Sequence, residues 1–107
     1  MEAEWYGIKC LVEHSGLSGE PGLLVYEERI VIFRASGFDQ AIERAEREVA
    51  DYAQRNGARY IGYCNAYKID APAIEDGTEV YSLMREVPLS PGEFITRYYD
   101  DGTDKHR

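Results

Sequence analysis

The chain is poor in the residue types that build metal centres and disulfide frameworks. Its 107 residues include only two cysteines, Cys10 and Cys64, and two histidines, His14 and His106. No Cys-x-x-Cys or His-x-x-x-His motif is present, so the sequence predicts no metal site. Each cysteine lies in an apolar, strand-like run, which favours two reduced, buried thiols. A disulfide would require the two strands to be neighbours with suitable geometry.

Long apolar runs are also missing. The longest, such as 22–26 and 30–33, fall far short of the roughly 20 residues that cross a bilayer. The first four residues, Met-Glu-Ala-Glu, are acidic where a signal peptide is basic, and no apolar segment follows them. The sequence therefore predicts a soluble, cytoplasmic domain with no membrane association.

Basic charge is scarce as well. Twelve Lys and Arg residues face twenty Asp and Glu residues, which gives a net charge of −8. Such a surface repels nucleic-acid backbones and anionic lipids, so we expect no nucleic-acid partner. It suits a basic protein partner, although acidity also serves solubility alone.

Motifs for phosphate binding and covalent catalysis are not found. Gly16, Gly19 and Gly22 have no following lysine and precede a strand rather than a helix, which is typical of a turn-rich loop. Cys10 and His14 lie four apart in one strand, about 13 Å at strand rise, so they cannot form a nucleophile–base pair. The sequence thus predicts no cofactor and no catalytic residues of these kinds.

What is present is the pattern of an α+β domain. Alternation over Trp5–His14 predicts a first strand with one apolar face, and a loop over 15–22 leads to a second strand, Leu23–Ala35. From Phe38 onward apolar residues recur at spacings of three and four, which predicts a long helix ending at Asn56-Gly57.

Two further strands, Arg59–Asp70 and Thr78–Val87, are predicted as a hairpin. Ser90-Pro91 begins a short second helix, and 100–107 read as a disordered polar tail. The predicted fold is β-β-α-β-β-α, one domain over 1–99 with a four-stranded, mainly antiparallel sheet and the long helix on one face. The sequence does not indicate the strand order. The sheet face opposite the long helix is either exposed to solvent, covered by the terminal helix or used for association.

The second strand contains an anomaly. Glu27, Glu28 and Arg29 place three charges in succession where alternation points one of them inward. Either Glu28 shares a face with apolar neighbours or a bulge resets the register, and the bulge is favoured. The two carboxylates are the best acid–base pair in the chain, but strand neighbours point to opposite faces unless a bulge intervenes. The alternative is structural, with Glu28 paired to Arg29 or Arg85.

Tyrosines suggest a binding surface. Tyr63 and Tyr67 fall on one face of the third strand and Tyr60 on the other. Tyrosine combines large contact area with a polar tip and is enriched at interfaces, although a core role is an alternative. The predicted binding residues are therefore Tyr63, Tyr67, Glu27 and Glu28.

Four segments occur together in order: Trp5-Tyr6, Tyr26–Ile30, Phe33–Ala35 and Thr78–Ser82. In this combination the chain, from Trp5 to about Tyr99, resembles a family of small bacterial proteins classed as domain-of-unknown-function family four-two-eight-eight. The resemblance implies a bacterial, stand-alone domain. It supplies no reaction, cofactor or catalytic residue.

The leading hypothesis is a non-catalytic, acidic protein-binding domain, an immunity or antitoxin-type partner of a basic protein. One alternative is a small enzyme that uses Glu27, Glu28 and a tyrosine hydroxyl. Another is a structural homodimer joined through the sheet face that the long helix leaves uncovered.

Overall fold

The computed structural model describes residues 3–17 and 19–99, over which the chain forms an α+β fold of three strands and two helices. In chain order these are β1 (Glu4–His14), β2 (Val25–Ala35), α1 (Phe38–Arg55), β3 (Arg59–Ile69) and α2 (Pro91–Tyr98). No helix within these residues is long and apolar enough to cross a membrane. The predicted tail, 100–107 with His106, lies outside the described residues.

The sheet is antiparallel, with strand order β2-β1-β3. β1 pairs with β2 in one continuous register, from Glu4 opposite Ala35 to His14 opposite Val25. The predicted bulge near Glu28 is therefore wrong. Regular alternation accommodates the three charges. Glu27 and Arg29 point towards α1 and bind polar side chains of that helix, whereas Glu28 points to the opposite face.

The bulge of this sheet lies in β3 instead. Cys10 pairs with Cys64, but Val12, two residues on, pairs with Tyr60, so β3 contributes two extra residues here. Gly62 lies within that segment at φ +81°, a left-handed conformation that glycine adopts at little cost. Two extra residues preserve the alternation, and both Tyr60 and Cys64 pack against the core beneath α1.

The core lies between α1 and one face of the sheet. β1 supplies its centre because it is flanked by strands on both sides, and Ile8 and Val12 are almost fully buried. On α1, Ala41, Ala45 and Val49 recur every four residues and are buried, and the small alanines let the helix approach the strands closely. Each fully buried Ile or Val contributes about 1.5–3 kcal/mol to folding.

The predicted fourth strand is wrong. In the described residues 70–90 the chain forms turns and irregular structure, and Thr78–Val87 pairs with no strand of the sheet. Alternation of apolar and polar side chains indicates that an extended segment has two different faces, but it does not show that another strand is available for backbone pairing. Pro72, which has no N–H, follows β3 and the chain leaves the sheet edge there. We call residues 78–99 the C-terminal arm.

α2 ends the arm and begins as the sequence predicts. The Ser90 hydroxyl accepts from the Glu93 backbone N–H, the Glu93 carboxylate accepts from the Ser90 backbone N–H, and Pro91 occupies the first helical position. Within the described part of the chain, α2 packs against none of the strands and not against α1. It is a well-capped helix that projects from the domain.

Candidate interaction surface

The face of the sheet that points away from α1, which we call the outer face, has Gly7 and Tyr67 at its centre. The Tyr67 ring lies directly on Gly7: a Cβ atom added to Gly7 would come within 2.3 Å of the ring. Tyr67 also packs on Tyr81 of the arm, with ring centroids 5.0 Å apart. Glycine at this position therefore allows the aromatic contact that holds the start of the arm on the sheet.

The Tyr67 hydroxyl is buried and has no hydrogen-bond partner among the described residues. Burial raises the pKa of this phenol, and the neighbouring Tyr81 adds to the rise. The hydroxyl is therefore a neutral polar group in an apolar contact, a placement that is costly unless something bonds to it.

Lys9 joins β2 to the arm across the outer face. Its Nζ lies 3.2 Å from the Glu28 carboxylate and 5.7 Å from the centre of the Tyr81 ring. The predicted pairing of Glu28 with Arg29 or Arg85 is wrong, since Arg29 binds Glu48 on the other face and Arg85 stacks on Tyr98 of α2. Because Glu28 is largely exposed, its ion pair with Lys9 adds little to stability.

The arm covers only part of the outer face. On the β2 side, Tyr26 is 56% exposed and Ile30 is 41% exposed. In the arm beyond Tyr81, Met84 is 95% exposed. Further large apolar side chains of the arm that are exposed are Leu83, Ile95 and Tyr99. Two apolar surfaces thus lie open, one on the sheet, which we call the β2 half, and one on the arm.

The four predicted binding residues separate into three groups. Tyr67 and Glu28 lie on the outer face. Tyr63 lies in the β3 bulge and is half exposed, and no ring contact between it and Tyr67 occurs in the described structure. Glu27 lies on the other face, beneath α1.

Glu27 belongs to a polar cluster between the sheet and α1. The Tyr52 hydroxyl donates its one hydrogen to the Glu27 carboxylate, 2.8 and 3.0 Å from the two oxygens, and one of them lies 2.7 Å from His14 Nε2. The Arg29 guanidinium stacks on the Tyr52 ring, 3.8 Å from its centre, and donates two hydrogen bonds of 2.6 Å to Glu48. The cluster ties β2, and through His14 also β1, to α1.

Within this cluster, the Arg29 guanidinium is paired with the Glu48 carboxylate. The hydrogen bonds from Arg29 hold the pKa of Glu48 below its usual value, and the same bonds raise the pKa of Arg29. A bidentate pair of this kind is geometrically specific and fixes where α1 lies on β2. The arrangement is suited to holding elements together.

The arrangement does not assemble the two-carboxylate acid–base pair. Glu27 and Glu28 point to opposite faces, so they cannot approach one substrate atom. Two surface clefts open along α1 and beside α2, and neither is lined by Glu27 or Glu28. The described residues hold no group of three or more His, Cys, Asp or Glu side chains that would bind a metal ion.

The two cysteines are direct neighbours across β1 and β3, and both are free thiols. Burial raises the pKa of Cys10 to about 11, with the nearby Cys64 adding to the rise. A thiol with such a pKa is protonated at neutral pH and is a poor nucleophile. Tyr60, nearby, donates its hydroxyl hydrogen to Glu46 of α1.

Sequence reasoning missed His14, Arg29, Glu48 and Tyr52 as members of one cluster. Glu48 and Tyr52 lie four apart on α1 and therefore share a side of the helix. Glu27 and Arg29 lie two apart on β2 and share a face of the strand. Combining the helical and the strand periods would have indicated four polar groups facing one another.

Comparisons with protein-family models, with curated proteins and with solved structures return no match to this chain. The resemblance to the bacterial family named above stays a prediction.

Proposed function

We propose that this chain is a non-catalytic protein-binding domain, and that it binds through the β2 half of the outer face together with the arm. The observation that carries the proposal is the exposure of apolar side chains on both surfaces, with Met84 at 95% and Tyr26 at 56%. Exposed large apolar side chains that cluster on a folded protein mark interaction sites.

A protein fits this surface better than a small molecule does. Small-molecule sites are concave and bury most of their ligand, whereas the outer face is the flat side of a sheet beside a projecting helix. The aromatic residues here, Tyr26, Tyr67 and Tyr99, are of the type enriched at the centres of protein interfaces.

An immunity or antitoxin-type interaction with a basic protein is the second candidate. The net charge of −8 favours it, because opposite charge accelerates and orients association. The same charge disfavours nucleic acid as the partner, even though an aromatic sheet face can stack bases.

Light scattering coupled to size-exclusion chromatography tests the proposal, on the chain alone and mixed with the product of the neighbouring gene. Met84→Asp places a charge on the proposed surface without touching the core. Leu17→Asp, in the exposed loop after β1, is the matched control because Leu17 is 67% exposed and lies outside that surface. We expect a stable complex, with itself or with the mixed protein, that Met84→Asp weakens and Leu17→Asp does not. A chain that forms no complex in either setting contradicts the proposal.

A further inference from the structure

We infer that the arm and the β2 half of the outer face are two parts of one self-complementary interface. The arm of one copy lies on the β2 half of a second copy, and the second copy returns the same contact. This inference rests on the proposed function and names its partner as a second copy of this chain.

The first step concerns the arm, which is structured but has little to pack against. α2 has a full capping box and one aromatic cluster of its own, in which the Phe94 ring lies 4.9 Å from Tyr98 and 5.8 Å from Tyr99. Arg85 stacks on Tyr98 from the preceding segment. None of the residues of α2 is buried. A short helix has only marginal stability in water without tertiary packing, so we expect α2 to be stabilised by packing against another surface.

The second step concerns the surface that the arm would cover. Tyr81 already packs on Tyr67, so the arm begins on the outer face and leaves it before Met84. The β2 half, with Tyr26 and Ile30, is the continuation of the face that Tyr81 occupies. The apolar contact between arm and sheet is therefore half formed within one chain.

The third step identifies the partner. One chain carries both an apolar arm and an open apolar sheet surface, so two copies related by a two-fold axis cover both surfaces of both chains at once. An unrelated protein would have to supply matching surfaces for both the sheet and the arm, whereas a second copy of this chain already carries both.

Charge does not oppose this contact locally. Of the net −8, residues 78–99 carry only −1, because three acidic residues face two basic ones. On the β2 half, Glu28 is paired with Lys9. The acidity of the chain therefore lies mainly outside the proposed interface.

Sedimentation equilibrium of the full chain, from low to high micromolar concentration, is the first test. We expect a mass of twice 12.2 kDa at the upper end. Met84→Asp on the arm and Ile30→Glu on the sheet should each raise the dimer dissociation constant by about tenfold or more, as expected for central interface residues. Leu17→Asp should leave it unchanged, and circular dichroism of each variant confirms that the monomer is folded.

Mixing of two cysteine variants then shows which chain the arm covers. Ile30→Cys in one copy and Met84→Cys in another should form a disulfide between different chains on mild oxidation, with the wild-type chain as the control for Cys10 and Cys64. If only the double variant reacts, and within one chain, the arm folds back on its own sheet and the inference is overturned.

A monomer at every concentration also overturns the inference, as does a dimer that neither Met84→Asp nor Ile30→Glu weakens. The proposed function is judged separately. If the monomer binds the neighbouring gene product and Met84→Asp abolishes that complex, the proposed binding surface is correct, but the protein that binds it is not a second copy of this chain. If neither complex forms, the proposed function fails as well.

Discussion

At the residue scale, Tyr67 connects three parts of the molecule. Its ring covers Gly7 of β1, it belongs to β3, and it holds Tyr81 of the arm. The ring contributes contact area, while its hydroxyl is buried without a partner in the described structure. The two ends of one side chain therefore affect stability in opposite directions.

Tyr67→Phe separates these two contributions. Because a buried, unbonded hydroxyl is unfavourable and the ring is retained, we expect the free energy of unfolding to stay equal or to rise by up to about 1 kcal/mol. Urea denaturation measures it, and Tyr81→Phe is the control, since Tyr81 is 41% exposed and its change should be neutral. A loss of more than about 1 kcal/mol in Tyr67→Phe would show that the hydroxyl has a hydrogen-bond partner.

Glu48 makes the second prediction at this scale. Its pKa in the folded chain is lowered by Arg29, so the stability it contributes is complete above its unfolded pKa, about 4.5, and is lost as the pH falls through the folded value. Glu48→Gln should therefore lower the free energy of unfolding by about 1.5–3 kcal/mol at pH 7. The difference from wild type should shrink below about pH 4.

Chemical denaturation at a series of pH values measures this effect. Glu43→Gln is the control, because Glu43 pairs with Arg47 on the exposed side of α1 and such pairs contribute about 0.3–0.5 kcal/mol. Parallel pH profiles for Glu48→Gln and wild type would contradict the role given to the Arg29–Glu48 pair.

At the element scale, α2 allows local and global stability to be separated. Ser90→Ala removes the capping box, which destabilises the helix by about 1 kcal/mol. Since α2 packs on no other helix or strand in the described chain, the unfolding midpoint of the monomer should not change, whereas circular dichroism at low concentration should show less helix. Thr96→Ala, inside α2, is the control and should not reduce helix content.

A fall in the global unfolding midpoint of the Ser90→Ala monomer would contradict this prediction, because it would show that α2 packs on the domain. At concentrations where the chain is dimeric, the same substitution should raise the dimer dissociation constant, since the inferred interface includes α2.

The elements also show what the sequence could and could not predict. The alternation of Tyr6, Ile8 and Val12 identifies the buried face of β1, because side-chain period follows directly from backbone geometry. The same reasoning fails for Thr78–Val87, since alternation shows two faces and says nothing about which strand edge is available. Glu28 was misread because the partners of Glu27 and Arg29 come from a distant helix.

The binding residues were predictable only in part. Tyr67 was found because a large aromatic residue in a strand alternates onto a definable face, but Gly7, which makes room for it, carries no signal of its own. Met84 and Ile30 were missed because exposure depends on what the rest of the chain leaves uncovered. Such information belongs to the tertiary structure rather than to any local pattern.

At the scale of the whole molecule, the net charge of −8 makes opposite predictions for the two partner classes. Two copies of this chain repel each other at long range. At physiological ionic strength, salt screens the repulsion between charges that are more than about 8 Å apart. The inferred dimer should therefore tighten as the salt concentration rises from low to physiological. A complex with a basic protein should weaken over the same range, because salt screens the attraction that steers it.

Dissociation constants measured by sedimentation across a salt series decide between them. We expect self-association to strengthen a few-fold with salt, since the apolar contact of the arm with the β2 half is insensitive to screening while the repulsion is reduced. Sucrose at matched viscosity controls for effects of the solvent on sedimentation. A dimer that dissociates as salt is added would have to be held by ion pairs, which the near-neutral arm and the Lys9–Glu28 pair do not provide.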